Sequence, residues 1–224
     1  MPRRGAGLRL LPRKIQFMDR LDRMRIDVPG LKVRVVDRCT STNSLLVEKT
    51  DSPILIAAEE QTAGRGRHER RWRSARGAGA TFSIRRHMDC EQRRLAGLSV
   101  AIGLSAARAL RRLGARGVAV KWPNDLMVRR RKLGGILIET RPAPREARPG
   151  ERSSAGCIVI VGIGINCLAQ PRLGARLGRG VAALDEVLRR PVSRNAIIEA
   201  VAREVLSSLC SWERAWEQDR KQAA

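Results

Sequence analysis

Apolar positions along the chain fall into short runs of the kind that form β-strands. Lys32 to Val36 alternates polar and apolar residues, which predicts a strand buried on one face, whereas Ile54 to Ala58 is continuously apolar, which predicts a fully buried strand. The same reasoning predicts strands in five further segments: Thr81 to Ile84, Val118 to Trp122, Leu126 to Val128, Leu133 to Glu139 and Ile158 to Ile165.

Three other segments have apolar residues at helical spacing and predict helices. The first is short and follows a group of N-cap candidates, the second is the best defined in the first half of the chain, and the third follows Ser193, a further N-cap candidate. Their apolar positions are Leu45 and Leu46 with Lys49 near the end; Leu95, Leu98 and Ile102 through to Leu113; and Ile197, Ile198, Val201, Val205 and Leu209.

Most of the predicted strands are joined by short turns, including a charged turn at Arg129 to Arg131. Because short turns join antiparallel neighbours, we expect a mixed, largely antiparallel sheet with the helices on one side, an α+β domain. The domain is predicted to span 31–218, between a basic N-terminal leader at 1–30, of which the first 18 residues are expected to be frayed, and a tail at 219–224. The expected long loops are Glu59 to Gly79, Arg141 to Ser154 and 171–182.

The charge balance is unusual for a domain of this size. The 224 residues include 45 Lys and Arg, 39 of them Arg, against 22 Asp and Glu, which gives a formal net charge of +23. Such an excess is typical of nucleic-acid-binding proteins, but surface arginines scattered by compositional bias give the same number. Aromatic residues make up 3% and Tyr is absent, which argues against a module that stacks bases on aromatic rings. Composition leaves both interpretations open.

The sequence lacks the features of several protein classes. No apolar run approaches the ~20 residues of a membrane span. The five cysteines are far apart, odd in number and form no C-x-x-C, so we expect neither a disulfide framework nor a structural zinc site, and a cytoplasmic location. His68 and His87 belong to no cluster of metal ligands.

Two loop segments carry residues that packing alone does not explain. Gly64 to Trp72 combines glycines with closely spaced arginines, which suits a loop that closes over an anion; an ordinary charged loop or an RG-type nucleic-acid segment has the same composition. Lys121 to Leu126 (K-W-P-N-D-L) places an amide and a carboxylate at a turn flanked by strands. These residues suit a general base or a metal ligand, and they are equally typical of an ordinary turn.

Two strand segments contain glycines in a similarly unusual place. Lys132 precedes Gly134 and Gly135 in a predicted strand, and a glycine inside a strand marks a bulge or the close approach of a ligand. Gly162 to Asn166 (G-I-G-I-N) ends the last strand where it leaves the core. The chain contains neither a Rossmann fingerprint nor a P-loop, so nucleotide sites of those two types are not supported.

Taken together and in this order, the motifs resemble those of the biotin–protein ligases. The matching segments are Ser41 to Asn43, Glu60 to Arg67, Arg70-x-Trp72, Lys121 to Leu126, Lys132 to Glu139 and Gly162 to Asn166. The resemblance implies the class II synthetase-like catalytic domain of the biotin and lipoate ligases. It also implies that biotin and Mg-ATP form biotinyl-5′-AMP, and that the biotinyl group then moves to a lysine of a biotin carboxyl carrier protein.

The resemblance assigns roles to individual residues. The expected catalytic residues are Lys132, which contacts both the biotin carboxylate and the α-phosphate, Arg67, which contacts phosphate, and Asp125, which orients or deprotonates the acceptor amine. The expected biotin-binding residues are Ser41, Thr42, Asn43, Gln61, Arg65, Gly66, Arg67, Lys132 and Gly135. The expected ATP- or adenylate-binding residues are Arg65, Arg67, Arg70, Trp72, Asn124, Lys132 and Asn166, and no dedicated site for Mg²⁺ is assignable.

The sequence departs from the family pattern in three respects. Too few residues precede the first strand for a winged helix-turn-helix, so we expect no specific DNA binding. No strand pattern follows the last helix, so we expect no C-terminal β-barrel, and Gly79 to Ser83 lacks the Tyr often found in the corresponding strand. A lipoate–protein ligase and a non-catalytic nucleic-acid-binding protein remain alternatives. We expect no membrane association, and either a monomer or a homodimer.

Overall fold

The computed structural model describes residues 19–47, 53–73, 75–143, 156–170, 174, 178 and 180–222. Within these residues the strands are β1 (Lys32–Cys39), β2 (Ile54–Gln61), β3 (Gly79–Met88), β4 (Val118–Lys121), β5 (Asp125–Val128), β6 (Arg131–Pro142) and β7 (Cys157–Asn166). The α-helices are α1 (Thr42–Val47), α2 (Leu98–Arg112) and α3 (Arg194–Gln222), and short 3-10 turns occur at Arg23–Arg25, Gln92–Leu95 and Leu184–Glu186. Lys49 and most of the two loops predicted at 141–154 and 171–182 lie outside the described residues.

The described strands form one seven-stranded sheet in the order β1-β2-β3-β7-β6-β5-β4. β1 and β2 run parallel and every other neighbouring pair is antiparallel, which confirms the mixed, largely antiparallel α+β sheet. β5 and β6 are joined by the charged turn that the sequence predicts, and Arg129 and Arg130 both have positive φ, 47° and 66°. Positive φ at both central residues is the geometry of the tight turn that matches strand twist.

The sheet is covered on both faces. The two long helices α2 and α3 pack on one face, over a core that includes Phe82, Ile102, Val161 and Ile197. The short helix α1 packs on the opposite face, where Leu46 forms a second apolar cluster with Ile54, Ile56 and Ile160. The expectation that all helices lie on one side is therefore wrong. The physical reason is that β2 is apolar on both faces and needs cover on each.

The segment at 19–28 belongs to the domain. Leu21, Ile26 and Val28 are buried in the main core. Asp19 and Glu59 both pair with Arg194, whose side chain is 1% exposed and lies 2.8 Å from Glu59. A buried arginine needs such partners because an uncompensated charge in the core costs several kcal/mol, about 3–5 when one partner is removed. Residues 19–28 therefore pack with the domain, although the sequence places its start at residue 31, and residues 1–18, where fraying is expected, lie outside the described part.

The last helix, α3, begins where the sequence predicts and continues further than expected. Ser193 Oγ accepts a hydrogen bond from the Ala196 backbone N–H at 3.1 Å, which confirms the predicted N-cap, an interaction that typically stabilises a helix by about 1 kcal/mol. The helix runs to Gln222, so the predicted boundary between domain and tail at 218 falls inside it. No helix in the described part of the chain is both long enough and apolar enough to cross a membrane.

Candidate active site

The floor of the site is a glycine-rich strip on the face of the sheet that also carries α1. Cross-strand pairing places Thr81, Gly164, Gly135 and Asp125 in one row across β3, β7, β6 and β5. Residues directly opposite each other on antiparallel strands point to the same face, so this row is shared by all four strands. The glycines of the row have no side chains, so other groups can lie directly above the sheet between Thr81 and Asp125.

A cavity of about 320 Å³ lies over this floor. It is lined by residues from β2, α1, the 64–72 loop, the turn before β5, and strands β6 and β7. Every residue that the resemblance assigns to the site lines this cavity except Asn166: Ser41, Thr42, Asn43, Gln61, Arg65, Gly66, Arg67, Arg70, Trp72, Asn124, Asp125, Lys132 and Gly135. Segments more than 100 residues apart in sequence therefore meet at one place.

Asn166 lies beside the site. Its amide donates to the backbone carbonyls of Ala182, at 3.1 Å, and Lys132, at 3.4 Å. The Lys132 backbone is also bonded to the chain at 180–182, since its N–H donates to Gly180 O and its carbonyl accepts from Ala182 N–H, both at 2.9 Å. The contacts of Asn166 thus support the strand segment that carries Lys132.

One end of the cavity is neutral and rich in hydrogen-bonding groups. Gln61 Oε1 accepts the Thr42 backbone N–H at 2.7 Å, and Thr42 Oγ1 lies 2.6 Å from Ser83 Oγ. Ser83 Oγ in turn donates to Asn43 Oδ1 at 2.5 Å. Thr42, Asn43 and Ser83 are all buried, because α1 begins at Thr42 and packs directly on β3. A buried polar pocket of this kind suits a ligand with polar groups of its own.

The polar chain continues to a carboxylate. Asn43 Nδ2 donates to Glu139 Oε2 at 2.7 Å, and Arg65 Nη2 donates to Glu139 Oε1 at 2.6 Å. Asn43 reaches this position because Gly162 has no side chain: a Cβ at 162 would overlap the Asn43 carboxamide. Glu139 therefore joins the polar end of the cavity to the arginine loop.

The loop over the cavity is a small hairpin. Gly66 N–H donates to Arg70 O at 2.7 Å, and Trp72 N–H donates to Gly64 O at 2.9 Å. His68 and Glu69 at its tip have φ of 52° and 59°, the left-handed conformation that a tight turn requires. The structure thus places Arg67 beside the tip, exposed and over the cavity, with no ion pair to any described residue.

Trp72 anchors the loop to the floor. Its indole ring lies directly over Gly164, so closely that a Cβ at 164 would overlap the ring. The Trp72 Nε1 atom is buried and has no hydrogen-bond partner among the described residues. The spacing of Gly162 and Gly164 is therefore explained by two side chains, Asn43 and Trp72, that occupy the space above β7.

This contact gives a stability prediction. Gly164→Ala is expected to lower the free energy of unfolding by about 1–3 kcal/mol, because the added methyl group forces the Trp72 ring away from β7. Urea denaturation measures the loss. In a Trp72→Ala background the same substitution is expected to cost less than about 0.5 kcal/mol, because the clash is gone. An equal cost in both backgrounds would contradict the proposed contact.

The opposite end of the cavity contains a paired cation and anion. Lys132 Nζ donates to Asp125 Oδ1, and the side chains are 16% and 26% exposed. Asn124 holds the turn before β5 in place, because its amide donates to Ile136 O at 2.8 Å and its carbonyl accepts Ile136 N–H at 3.0 Å. In such a pair the lysine ammonium can neutralise an anionic ligand, and the carboxylate can accept a proton.

Two side chains of the polar chain are absent from the sequence-based prediction. Ser83 and Glu139 complete the polar chain, yet neither was singled out, since their contacts depend on strand register and on α1 crossing over β3. The sequence does contain one indication of these contacts. Glycines at 162 and 164 alternate along one face of β7, and alternation of this kind shows that other side chains need that space.

The described residues contain no group of three or more His, Cys, Asp or Glu side chains that could hold a metal ion. Cys167, next to Asn166, is fully buried, and burial raises the pKa of its thiol to about 12. It therefore stays protonated at neutral pH and packs as a small apolar side chain. The chemistry of the cavity rests on the lysine, the carboxylate, the arginines and the amides.

Comparison with known proteins identifies relatives of this arrangement. The Bifunctional ligase/repressor BirA of Salmonella typhimurium is 40% identical over 159 residues, which is 70% of this chain and 47% of that protein. The Biotin--[acetyl-CoA-carboxylase] ligase of Mycobacterium tuberculosis is 32% identical over 195 residues, 81% of this chain and 65% of that protein. The chain thus spans about half to two thirds of the length of these curated relatives.

A solved structure shares the fold. The biotin protein ligase from Aquifex aeolicus in complex with biotin and ATP superposes with a TM-score of 0.63 at 25% identity, over 81% of this chain and 72% of that chain. The model of the Biotin/lipoate A/B protein ligase family matches residues 35–162, which run from β1 into β7 and include most of the cavity. Because this match extends over more than half of the chain, the protein belongs to the biotin/lipoate A/B protein ligase family.

Proposed function

We propose that the protein attaches biotin to a lysine of a biotin carboxyl carrier protein, using ATP and passing through biotinyl-5′-AMP. The observation that carries the proposal is the division of one cavity into a neutral polar end at Thr42 and Gln61 and a charged end at Lys132 and Asp125. A biotin molecule has the same division, a neutral cyclic urea at one end and a carboxylate at the other. Family membership and the names of the relatives agree with this reaction.

The neutral end is proposed to hold the biotin ring. Ser41 and Thr42 offer hydroxyl groups from buried positions and Gln61 offers a carboxamide from a half-buried one, which a buried urea requires because its N–H and C=O groups lose their water. Gly66 and Gly135 leave room for the ring and its chain. Asn43 and Arg65 line the same end of the cavity and are held there by their hydrogen bonds to Glu139.

The charged end is proposed to carry out adenylate formation. The carboxylate oxygen of biotin attacks the α-phosphorus of ATP and pyrophosphate leaves, so two anions must approach each other. Lys132, mostly shielded from solvent, offsets that repulsion by contacting both groups. Arg67, exposed and without an ion pair to the described residues, is the cation that the loop brings to the phosphate.

The remaining predicted contacts serve the adenosine and phosphate groups. Arg70, Trp72 and Asn124 line the cavity on the side of the loop and of the turn before β5, and we propose that they wall the adenylate. Asn166 supports Lys132 from behind. The described residues offer no carboxylate cluster for Mg²⁺, so we propose that the ion enters on the ATP phosphates, whose charge it partly neutralises when bound.

The second step is proposed to use Asp125. Its carboxylate lies at the edge of the glycine floor, within reach of Lys132 and open to the cavity. There it can orient the acceptor lysine of the carrier and take its proton as the amine attacks the biotinyl carbonyl and AMP leaves. We place the reaction in the cytoplasm, in a protein with no membrane association, as a monomer or a homodimer.

A lipoate–protein ligase is the nearest alternative, because the family contains both activities. The polar end favours biotin, since the dithiolane ring of lipoate has no N–H or C=O group to satisfy the buried Thr42 and the half-buried Gln61. Pyrophosphate exchange into ATP, measured with each acid in turn, tests the choice. We expect exchange with biotin and at least about tenfold less with lipoate; the reverse order would assign the protein to lipoate.

Loss of the loop cation is expected to release the intermediate. In Arg67→Ala, biotinyl-5′-AMP is expected to appear free in solution at least about tenfold faster than from the wild type, because one charge-assisted contact to its phosphate is removed. Rapid filtration of single-turnover mixtures measures retained and released adenylate. Arg73→Ala, which alters an exposed arginine just after the loop, serves as the control. Equal retention in wild type and Arg67→Ala would remove Arg67 from this role.

A further inference from the structure

Glu139 holds two different elements at once. It lies on β6 opposite Ile160, on the face of the sheet that carries α1, and its side chain is 24% exposed. One carboxylate oxygen accepts from Asn43 Nδ2 and the other from Arg65 Nη2. Arg65 belongs to the base of the 64–72 hairpin, where it pairs with Arg71, and Asn43 belongs to the first turn of α1.

A carboxylate only accepts hydrogen bonds, so it determines how the Asn43 carboxamide is turned. With Nδ2 directed at Glu139, the Asn43 oxygen faces Ser83, whose hydroxyl must donate its single proton across the 2.5 Å contact. Ser83 Oγ then accepts the Thr42 proton across the 2.6 Å contact. The Thr42 hydroxyl has a single proton and two acceptors within reach, Ser83 Oγ at 2.6 Å and Gln61 Oε1 at 3.0 Å. We assign the proton to Ser83, because two oxygens 2.6 Å apart with no proton between them would repel each other.

This direction leaves two acceptors available at the polar end of the cavity. With the Thr42 proton assigned to Ser83, Gln61 Oε1 accepts from the Thr42 backbone N–H alone and keeps one free lone pair, and Thr42 Oγ1 accepts from no group in the chain of bonds. Both atoms belong to residues that line the cavity. The polar end is thus set to receive N–H donors rather than to present hydroxyl protons.

We propose that Glu139 is a positioning residue: its carboxylate fixes the hydrogen-bond direction from Asn43 through Ser83 to Thr42, so that Thr42 and Gln61 accept the ring N–H groups of the bound acid. The identity of that acid as biotin rests on the proposed function. Glu139 itself does not line the cavity; it acts through Asn43 and holds the arginine hairpin through the same carboxylate.

Glu139→Gln reverses the chain while keeping the size of the side chain. A carboxamide has one oxygen, which the Arg65 guanidinium takes, so the new NH₂ group faces Asn43 and forces its amide to turn over. Asn43 Nδ2 then donates to Ser83, Ser83 donates to Thr42, and Thr42 donates to Gln61 Oε1. Both acceptors become occupied by protein donors, and a ring N–H finds no partner.

The effect is expected to be specific to one substrate. In pyrophosphate exchange with the full chain, Glu139→Gln should raise the KM for biotin about ten- to hundredfold, while the KM for ATP and the rate at saturating biotin stay within about twofold of wild type. Glu213→Gln is the matched control. Like Glu139, Glu213 accepts from one arginine and one amide N–H, here the Arg86 side chain at 2.7 Å and the Asp89 backbone at 3.0 Å, but it is outside the cavity lining.

A double-variant cycle distinguishes this transmission from a general loosening of the site. Ser83→Ala removes the hydroxyl that links Asn43 to Thr42 and is fully buried away from the cavity. In the Ser83→Ala background, Glu139→Gln should change the KM for biotin by no more than about twofold. An undiminished effect in that background, or equal changes in the KM for biotin and for ATP, would overturn the proposal.

A measurement without ligand keeps the inference testable if the wild type shows no biotin-dependent exchange, an outcome that would refute the proposed function alone. The side-chain amide protons of Asn43 are observed by ¹⁵N–¹H NMR in wild type and in Glu139→Gln. We expect the proton bonded to the carboxylate to be displaced downfield in wild type and to lose that displacement in the variant, since its new acceptor is a neutral hydroxyl. An unchanged Asn43 resonance would overturn the proposal.

Discussion

Replacing Lys132 with alanine is expected to lower biotin-dependent pyrophosphate release by about 10³-fold or more. The attack of a carboxylate on a phosphate is opposed by repulsion between two anions, and removing one preorganised donor of this type typically costs 10²–10³ in rate. The cost should be at the upper end or beyond because the Lys132 side chain is only 16% exposed, so its charge is weakly screened by water. The rate is measured by pyrophosphate release under saturating biotin and ATP.

The control for this experiment is Lys32→Ala, which removes an exposed lysine from β1, at the far edge of the sheet. It is expected to leave the rate within about twofold of wild type. Thermal unfolding of both variants should show a folded protein, because Lys132 is held in its strand by backbone bonds to Gly180 and Ala182 that the substitution does not touch. A Lys132→Ala variant that releases pyrophosphate at the normal rate would contradict the assignment.

Asp125→Asn is expected to separate the two half-reactions. General-base catalysis typically contributes 10²–10⁴ in rate, so transfer of biotin from preformed adenylate to the carrier should fall by at least about 10²-fold. Adenylate formation should change by less than about tenfold, because Lys132 keeps its charge and its backbone anchors. Single-turnover transfer from isolated enzyme–adenylate complex measures the first rate, and pyrophosphate release measures the second.

Asp27→Asn provides the comparison, since Asp27 is an exposed carboxylate that pairs with Arg203 at 3.0 Å at a distance from the cavity. Its two half-reactions should match those of the wild type. If transfer in Asp125→Asn proceeds at the wild-type rate, the acceptor amine loses its proton elsewhere. If both half-reactions fall equally, Asp125 acts through its ion pair with Lys132 and not as the base.

Much of the fold follows from local pattern. The apolar spacing between Leu98 and Leu110 predicts α2, because apolar residues three and four positions apart form one buried stripe on a helix. The motifs could be picked out in advance because glycines, arginines and amides stand where packing alone does not require them, both in a loop, as at Gly64 to Trp72, and inside strands, as at Gly134 and Gly162. The cavity confirms that they meet, and it contains the residues that the resemblance assigned to it, apart from Asn166.

The rest depends on contacts between residues far apart in sequence. Glu139 meets Asn43 across 96 positions, and Arg194 meets Glu59 across 135, so neither partner is visible in a local window. The packing of residues 19–28 also depends on α3, where the Arg194 backbone N–H and Asn195 Nδ2 both donate to the Asp19 carboxylate. The position of α1 was misassigned because the apolar run of β2 reads the same whichever face a helix covers.

Part of the arginine content is accounted for by pairing within the described residues, although these neutral pairs contribute nothing to the net charge of +23. Several arginines outside the site have carboxylate partners, among them Arg38 with Glu60, Arg76 with Asp37, Arg86 with Glu213, Arg112 with Glu204 and Arg131 with Glu186. Exposed pairs of this kind contribute little stability, about 0–1 kcal/mol each. The cavity contains a small number of cations, Lys132 and the arginines of the hairpin. Its other end is neutral, whereas a surface that binds nucleic-acid phosphates is lined by cations throughout.

The most direct test of the central claim is a single incubation with two readouts. The protein is mixed with biotin, Mg-ATP and an apo biotin carboxyl carrier domain, and pyrophosphate and biotinylated carrier are followed independently. We expect pyrophosphate release that requires biotin, and carrier biotinylation that follows it with equal stoichiometry and stops when the acceptor lysine is replaced. Absence of biotin-dependent pyrophosphate, together with salt-dependent binding to random DNA or RNA, would contradict the account and favour a nucleic-acid-binding protein.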